Sequence, residues 1–344
     1  MFPLRLPLIC LATLVGVVLC QYDYGYDYGA PMAEVQAPTP RCSDECECPT
    51  HFPTAMYCND RELKVAPMVP TGIKYVYLQN NQLTELKSGI FDNATDLRWL
   101  ILDNNELTNG KIEKGTIDKL TKLEKLYINN NKLSEAVVPK SSAMEEIKMM
   151  GNEISKFPAG LLTGMENLTS VHLSKNQLTS DGITGAFKGL KSLVLLDVSD
   201  NKLKKLPAGL PPSLMMLYAD HNEIESIAAA YLAKLPALQY LRVSYNQLKD
   251  AGVPAGVFNV SSLVELDLSY NKLTAIPEVG ENLEHLYLQV NEIAKFDTSS
   301  FCKVVGAGSY SKIKDLRLDG NQLSLQDMPI EASQCLMMAQ EILI

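Results

Sequence analysis

Basic charge is scarce in this sequence. Lys and Arg number 31 against 40 Asp and Glu, four His barely alter the balance, and the formal net charge is −9. An acidic chain lacks the positive surface that phosphate backbones require, so nucleic acid is not expected as a partner. Beyond the N-terminus, no run of apolar residues approaches the ~18 that a membrane-spanning helix needs, and no membrane partner is expected. Catalytic signatures are missing too: there is no H-E-x-x-H, no G-x-S-x-G and no phosphate loop. Gly306-Ala307-Gly308 lacks the strand-to-helix setting of a dinucleotide fingerprint. The chain therefore reads as a non-enzyme, with no cofactor and no metal. It does not lack core material: 46% of residues are hydrophobic and 21% charged, the composition of a folded protein.

The first residues read as an address. Arg5 is the only charge before an almost wholly apolar run from Leu8 to Leu19, too short to span a ~30 Å hydrocarbon core but suited to a signal peptide. Cleavage after Cys20 gives segment 1–20 as the signal and leaves Gln21 at the new N-terminus, able to cyclise to pyroglutamate. The expected product is secreted.

Secretion shapes the reading of cysteine. Six cysteines follow the signal: Cys42, Cys46, Cys48, Cys58, Cys302 and Cys335. An even number in an oxidising compartment reads as three disulfides, although six cysteines leave about fifteen connectivities open. The first four are spaced C-x3-C-x-C-x9-C with His51 among them. A zinc site is the alternative, disfavoured because the spacing is not that of a finger.

From Ile73 to Leu323 one pattern, L-x-x-L-x-L-x-x-N-x-L, recurs eleven times with conservative exchanges. Its asparagines run Asn81, Asn105, Asn131, Asn152, Asn176, Asn201, Asn222, Asn246, Asn271, Asn291 and Asn321, in steps of 20 to 30 residues that average 24. That period identifies leucine-rich repeats. Two leucines two residues apart point the same way from a short strand, and the residues between them face out. Asparagine then turns the chain, its amide free to satisfy backbone groups of the next coil. One coil cannot bury its own leucines, so coils stack. The expected fold is an α/β solenoid with a curved parallel sheet on its concave face. Its convex side should hold short 3₁₀, turn and polyproline segments, with capped ends. The divisions read 1–20 signal, 21–41 tail, 42–72 cysteine-rich cap, 73–323 repeats and 302–344 a terminal cap overlapping the last repeat.

Four features together resemble the small leucine-rich proteoglycans, and the cap spacing resembles their keratan sulfate-bearing class. They are the C-x3-C-x-C-x9-C cap, repeat steps that alternate roughly long, long, short, the enlarged interval of 30 holding Cys302, and the tail Gln21-Tyr22-Asp23-Tyr24-Gly25-Tyr26-Asp27-Tyr28. The short tail and the stretch Phe258 to Leu273 (FNVSSLVELDLSYNKL) resemble one member of the class most. The resemblance implies pairs Cys42–Cys48, Cys46–Cys58 and Cys302–Cys335. It implies keratan sulfate on some of the acceptor asparagines Asn93, Asn167 and Asn259, each in an N-x-S/T triplet. It also maps a collagen-contacting acid of the seventh repeat onto Asp220, in Tyr218-Ala219-Asp220, and by analogy brings in Arg317 and Asp319 of the last repeat. On the residues alone, Asp220 reads as a solvated turn acid. The tail tyrosines Tyr22, Tyr24, Tyr26 and Tyr28, flanked by Asp, suit sulfation.

The outward strand positions carry an aromatic strip: Tyr75, Tyr77, Trp99, Tyr127, Tyr218, Tyr240, Tyr245, Tyr270 and Tyr287, with His172, His221 and His285 beside them. Exposed aromatics offer contact area at low entropic cost. The plainer reading is that they stack across strands to stabilise the sheet. Charges of both signs share the face, which suits a fibrillar collagen better than a polyanion. The expected role is a secreted matrix proteoglycan that binds fibrillar collagen and limits fibril diameter and spacing, as in corneal matrix. The alternative is a soluble binding protein for microbial ligands such as bacterial lipopolysaccharide, or for growth factors. A homodimer is a further expectation.

Overall fold

The structure is a computed structural model that describes residues 42–302 and 310–344, and before them only the backbone of 10–12 and 18–20. The chain divides into two units, Met1–Thr39 and Pro40–Ile344. In the first, Cys10–Ala12 pairs antiparallel with Val18–Cys20. Gln21, Tyr22, Tyr24, Tyr26 and Tyr28 lie outside the described residues. Among those described, no helix is long and apolar enough to cross a membrane.

The second unit is a solenoid whose strands form one thirteen-stranded sheet in strict sequence order. Every strand is three residues long and pairs in parallel with its neighbours, as Met216–Tyr218 does with Leu195–Asp197 and Tyr240–Arg242. In most strands the middle residue is buried and the outer two are half-buried. This is the L-x-L alternation made physical, with leucines in and partner-facing residues out. The core runs the length of the stack: Leu196, Leu217, Leu241, Leu266, Leu286 and Leu316 are each fully buried at successive strand centres.

The asparagines supply the polar half of the design. Asn246 is 3% exposed, and its Nδ2 donates to the Ala219 carbonyl of the preceding coil at 3.0 Å and to the Val243 and Ser244 carbonyls of its own coil. Its Oδ1 accepts from the Ile224 N–H at 2.9 Å. The same exchange recurs from Asn81, which reaches Cys58 and Leu63, to Asn321, which reaches Leu288 and Ile293. Each coil is thereby tied to the one before it by side-chain bonds as well as by the strand ladder.

Two strands extend the sheet beyond the repeats legible in the sequence. Ala55–Tyr57, inside the cap, pairs with Tyr75–Tyr77, and Glu341–Leu343 pairs with Asp315–Arg317. Cys42–Cys48 and Cys46–Cys58 close the first end, and Cys302–Cys335 links the last coils, with Cα–Cα separations of 5.7, 4.5 and 5.9 Å. Among the described residues the return arms contain five 3₁₀ turns, and the only α-helix is the four-residue Ala332–Cys335. Arms lie so close that a Cβ on Gly252 would sit 2.1 Å from the Glu225 carbonyl oxygen, which is why glycine stands there.

Candidate binding face

The aromatic residues named from the sequence fall into two groups on the concave side, not one strip. In the first, Tyr57 stacks on Tyr77 at 4.8 Å between ring centres, Phe52 on Tyr75 at 5.6 Å, and Trp99 meets Tyr75 edge-on at 5.0 Å. Phe52 and Tyr57 were missed in the sequence because they precede the first consensus repeat. Their only clue is the apolar run beside Cys58. Lysines cover the next rings: the Lys125 Nζ lies 4.7 Å from the centre of Trp99, and the Lys148 Nζ 4.5 Å from that of Tyr127. The Tyr127 hydroxyl donates to Glu146, and burial together with that carboxylate raises its pKa well above the ordinary phenol value. These rings are largely satisfied within the chain.

Between the groups lie strands with few aromatics, Glu146–Lys148, Ser170–His172 and Leu195–Asp197. His172 is half-buried and shares a 2.8 Å hydrogen bond with the Ser170 hydroxyl. Burial, aided by Lys148 and opposed by Asp197 and Glu146, lowers its pKa below the usual histidine range.

The second group adds two exposed rings, Tyr245 and Tyr270, to three half-buried ones. Tyr218, Tyr240 and Tyr287 occupy strand positions, while Tyr245 and Tyr270 sit on the turns just beyond their strands. Those turns need a left-handed residue immediately before the ladder asparagine, and Asn80, Asn104 and Asn130 fill the role in early coils. His221, Tyr245, Tyr270 and Val290 fill it later, with φ of 52°, 50°, 53° and 54°. Bulky side chains rarely adopt this conformation. Here they gain a stack, His221 on Tyr245 at 4.1 Å and Tyr245 on Tyr270 at 3.9 Å, with the two tyrosines still 42% and 38% exposed. Asparagines make the equivalent row in the first coils, where Asn104 donates to Asn80 and Asn130 to Asn104, each at 2.7 Å.

Asp220 is not a solvated turn acid. Its side chain is only 13% exposed, and its Oδ1 accepts from the Ser244 N–H at 2.8 Å and the Ser244 hydroxyl at 2.7 Å. Burial raises its pKa, opposed by Ser244 and by Arg242. Asp103 repeats the device, accepting from the Asn129 N–H at 2.7 Å, and burial raises its pKa likewise. A carboxyl that binds its proton more tightly when folded favours the fold most below its unfolded pKa, and that share is lost as pH rises through the folded value. D220N, which keeps the Oδ1 acceptor, should therefore stay within about 1 kcal/mol of wild type at pH 7. D220A, which strips Ser244 of its acceptor, should cost about 1–2 kcal/mol. Thermal unfolding of both variants reads the difference.

Arg317 and Asp319 face each other: Nε and Nη2 donate to the two carboxylate oxygens at 2.7 and 3.0 Å, so each spends its charge on the other. His285 makes a 2.5 Å contact to Asp315 through Nδ1. No cluster among the described residues is arranged to hold a metal ion. The acceptor asparagines lie in the arms that lead into the strands Trp99–Ile101, Ser170–His172 and Glu265–Asp267. Asn93 and Asn167 are exposed, whereas the half-buried Asn259 donates its Nδ2 to Glu278 at 2.8 Å.

Family models for the leucine-rich repeat match residues 71–133 and 142–203, with further single matches at 234–255 and 262–280. They indicate no catalytic class. Lumican from Coturnix japonica is 52% identical over 335 residues, and lumican from Homo sapiens 50% over 329, each match covering 96% of both chains. Fibromodulin from Bos taurus is 46% identical over 318 residues, 92% of this chain and 83% of its own. Among solved structures, a chain of an octameric complex of Latrophilin 3, Unc5D and FLRT2 superposes with a TM-score of 0.67 at 25% identity, covering 87% of this chain and 82% of that one. A Leptospira interrogans leucine-rich-repeat protein, at 0.56 and 20% identity, shares the fold over 82% of this chain and 81% of its own.

Proposed function

The chain belongs to the small leucine-rich proteoglycans, nearer to lumican than to fibromodulin, and from that premise we propose that it is a secreted extracellular-matrix protein that binds fibrillar collagen through its concave sheet and limits fibril diameter and spacing. The observation that carries this reading is the exposed stack of Tyr245 and Tyr270, beside the half-buried Tyr218, Tyr240 and Tyr287. Satisfied, buried rings stabilise a sheet; rings left at the surface are contact area waiting for a partner. Charges of both signs lie among them, with Arg242 and Arg317 beside Asp197, Glu265 and Asp315. Charges so largely paired within the chain leave a face of little net field, which suits a collagen fibril better than a polyanion.

The acceptor asparagines support the second half of the proposal. Keratan sulfate on Asn93, Asn167 or Asn259 would leave from the arms and not obstruct the strands. Sulfation of Tyr22, Tyr24, Tyr26 and Tyr28 would add further negative charge. Adsorbed protein then blocks lateral accretion, and hydrated polyanions keep neighbouring fibrils apart through volume and through repulsion over roughly a Debye length of ~8 Å. The test is collagen assembly in the presence of the purified glycosylated protein, read by electron microscopy. Thinner, more uniform fibrils are expected. Enzymatic removal of the glycans should preserve adsorption while reducing spacing. Fibrils unchanged in diameter by the wild-type protein would end the proposal.

A further inference from the structure

One side chain in the open aromatic group differs from all its neighbours. Within the thirteen-stranded sheet, Arg242 is the only exposed strand residue outside the terminal Glu341–Leu343. Its guanidinium lies between two mostly buried carboxylates, with Nε 3.4 Å from the Asp220 Oδ2 and Nη2 3.8 Å from the Asp267 Oδ2. It also lies over the Tyr218 ring, 5.8 Å from the centre. These contacts fix the group by charge and by the ring face, yet none is a hydrogen bond. Arg317 is bonded twice to Asp319 and Arg98 once to Glu124 at 2.8 Å, whereas the guanidinium N–H groups of Arg242 make no hydrogen bond among the described residues.

The two acids are equipped to hold it. Each commits its Oδ1 to a serine of the sheet edge, Asp220 to Ser244 and Asp267 to Ser269, the latter at 2.9 Å from N–H and 2.6 Å from the hydroxyl. That leaves Oδ2 of each facing Arg242. Asp220 is 13% exposed and Asp267 10%, against 45% for Arg242. A partner on the concave face meets the arginine before it can reach either acid.

We infer that Arg242 is the collagen contact of this region and that Asp220 is a positioning residue, which acts by holding the guanidinium over Tyr218. This rests on the collagen-binding reading above and refines it. The acceptor is identified by charge. Two carboxylates already compensate the single positive charge, so a third anion would be repelled, whereas a neutral acceptor would not. The main-chain carbonyl oxygens of a collagen triple helix are neutral acceptors, and a guanidinium, with five donors in a planar fork, suits them better than an ammonium.

A double-mutant cycle tests this, measuring equilibrium binding of the full glycosylated chain to reconstituted collagen fibrils. R242A should weaken binding by about tenfold or more, as for a hot-spot arginine. R242K, which keeps the charge but not the fork, should lose most of that affinity. D220N should weaken binding in the wild-type background but change it less than about twofold once R242A is present. The R242A effect should persist from about 0.15 M to about 1 M salt, where the Debye length falls from ~8 to ~3 Å. An equal D220N loss in both backgrounds would make Asp220 a direct contact and overturn the inference, as would an R242A protein that binds like wild type. A loss that vanishes at high salt would overturn the neutral acceptor. Failure of the wild-type protein to bind fibrils at all is a different result: it would remove the collagen reading itself.

Discussion

N246A is expected to destabilise the protein by about 3–4 kcal/mol and to broaden its urea transition. The Asn246 side chain is almost fully enclosed, and its amide serves four backbone groups on two successive coils. Alanine leaves the Ile224 N–H without a partner where water has little access, at about 1–3 kcal/mol, and removes a donor from each of the Ala219, Val243 and Ser244 carbonyls, which keep those of Asn222, Asn271 and the His221 N–H, at about 0.5 kcal/mol or more apiece. The matched control is N321A. Asn321 makes equivalent bonds, to Leu288, Leu318 and Ile293, but is only half-buried near the end of the stack. Water can replace much of what is lost there, and about half the penalty is expected. The form of the transition carries separate information. In a stack where each coil touches only its neighbours, a weakened central coil uncouples the two halves, so N246A should flatten the transition while N321A frays only the end. Equal effects from the two variants would mean that the asparagine ladder does not set coil-to-coil coupling.

Much of this architecture is legible in the chain because it is periodic. The spacing of the asparagines carries the coil, and L-x-L fixes which residues face in. The strands at the two ends escape such a reading. Ala55–Tyr57 and Glu341–Leu343 lack the consensus leucine and asparagine, and their place in the sheet shows only once each pairs with a neighbour. The aromatic residues are visible as a set, but their division into a self-satisfied group and an open one depends on lysines 21 to 26 residues away, since Lys125 covers Trp99 and Lys148 covers Tyr127.

Asp220 shows the limit most clearly. Nothing local in Tyr218-Ala219-Asp220 distinguishes a solvated acid from a buried one. Its environment is set by Ser244 and Arg242, supplied by the next coil once the strands are in register. The same holds for Arg317 and Asp319, whose proximity in sequence hints at a pair, though only the bidentate geometry shows that they neutralise each other. The left-handed row is a signal that sequence reasoning could have used. The position before each ladder asparagine is Asn or Gly in five of the eleven coils, so Tyr245 and Tyr270 in that position mark a departure that the exposed stack explains.

The central claim is that collagen is met by the concave sheet, and an obstacle placed there tests it more directly than any deletion. H172N completes a glycan-acceptor triplet with Leu173 and Ser174 midway along the sheet, on the strand Ser170–His172 and well away from Arg242 in sequence. A glycan at that point projects into the space a fibril must occupy, while those on the arms do not. The measurement is fibril binding by the secreted H172N protein, with occupancy confirmed by mass, before and after enzymatic removal of N-glycans and beside wild type treated in the same way. The account predicts that the glycosylated variant does not bind and that binding returns when the glycan is removed, with wild type binding in both states. A fully occupied variant that coats fibrils as wild type does would contradict it.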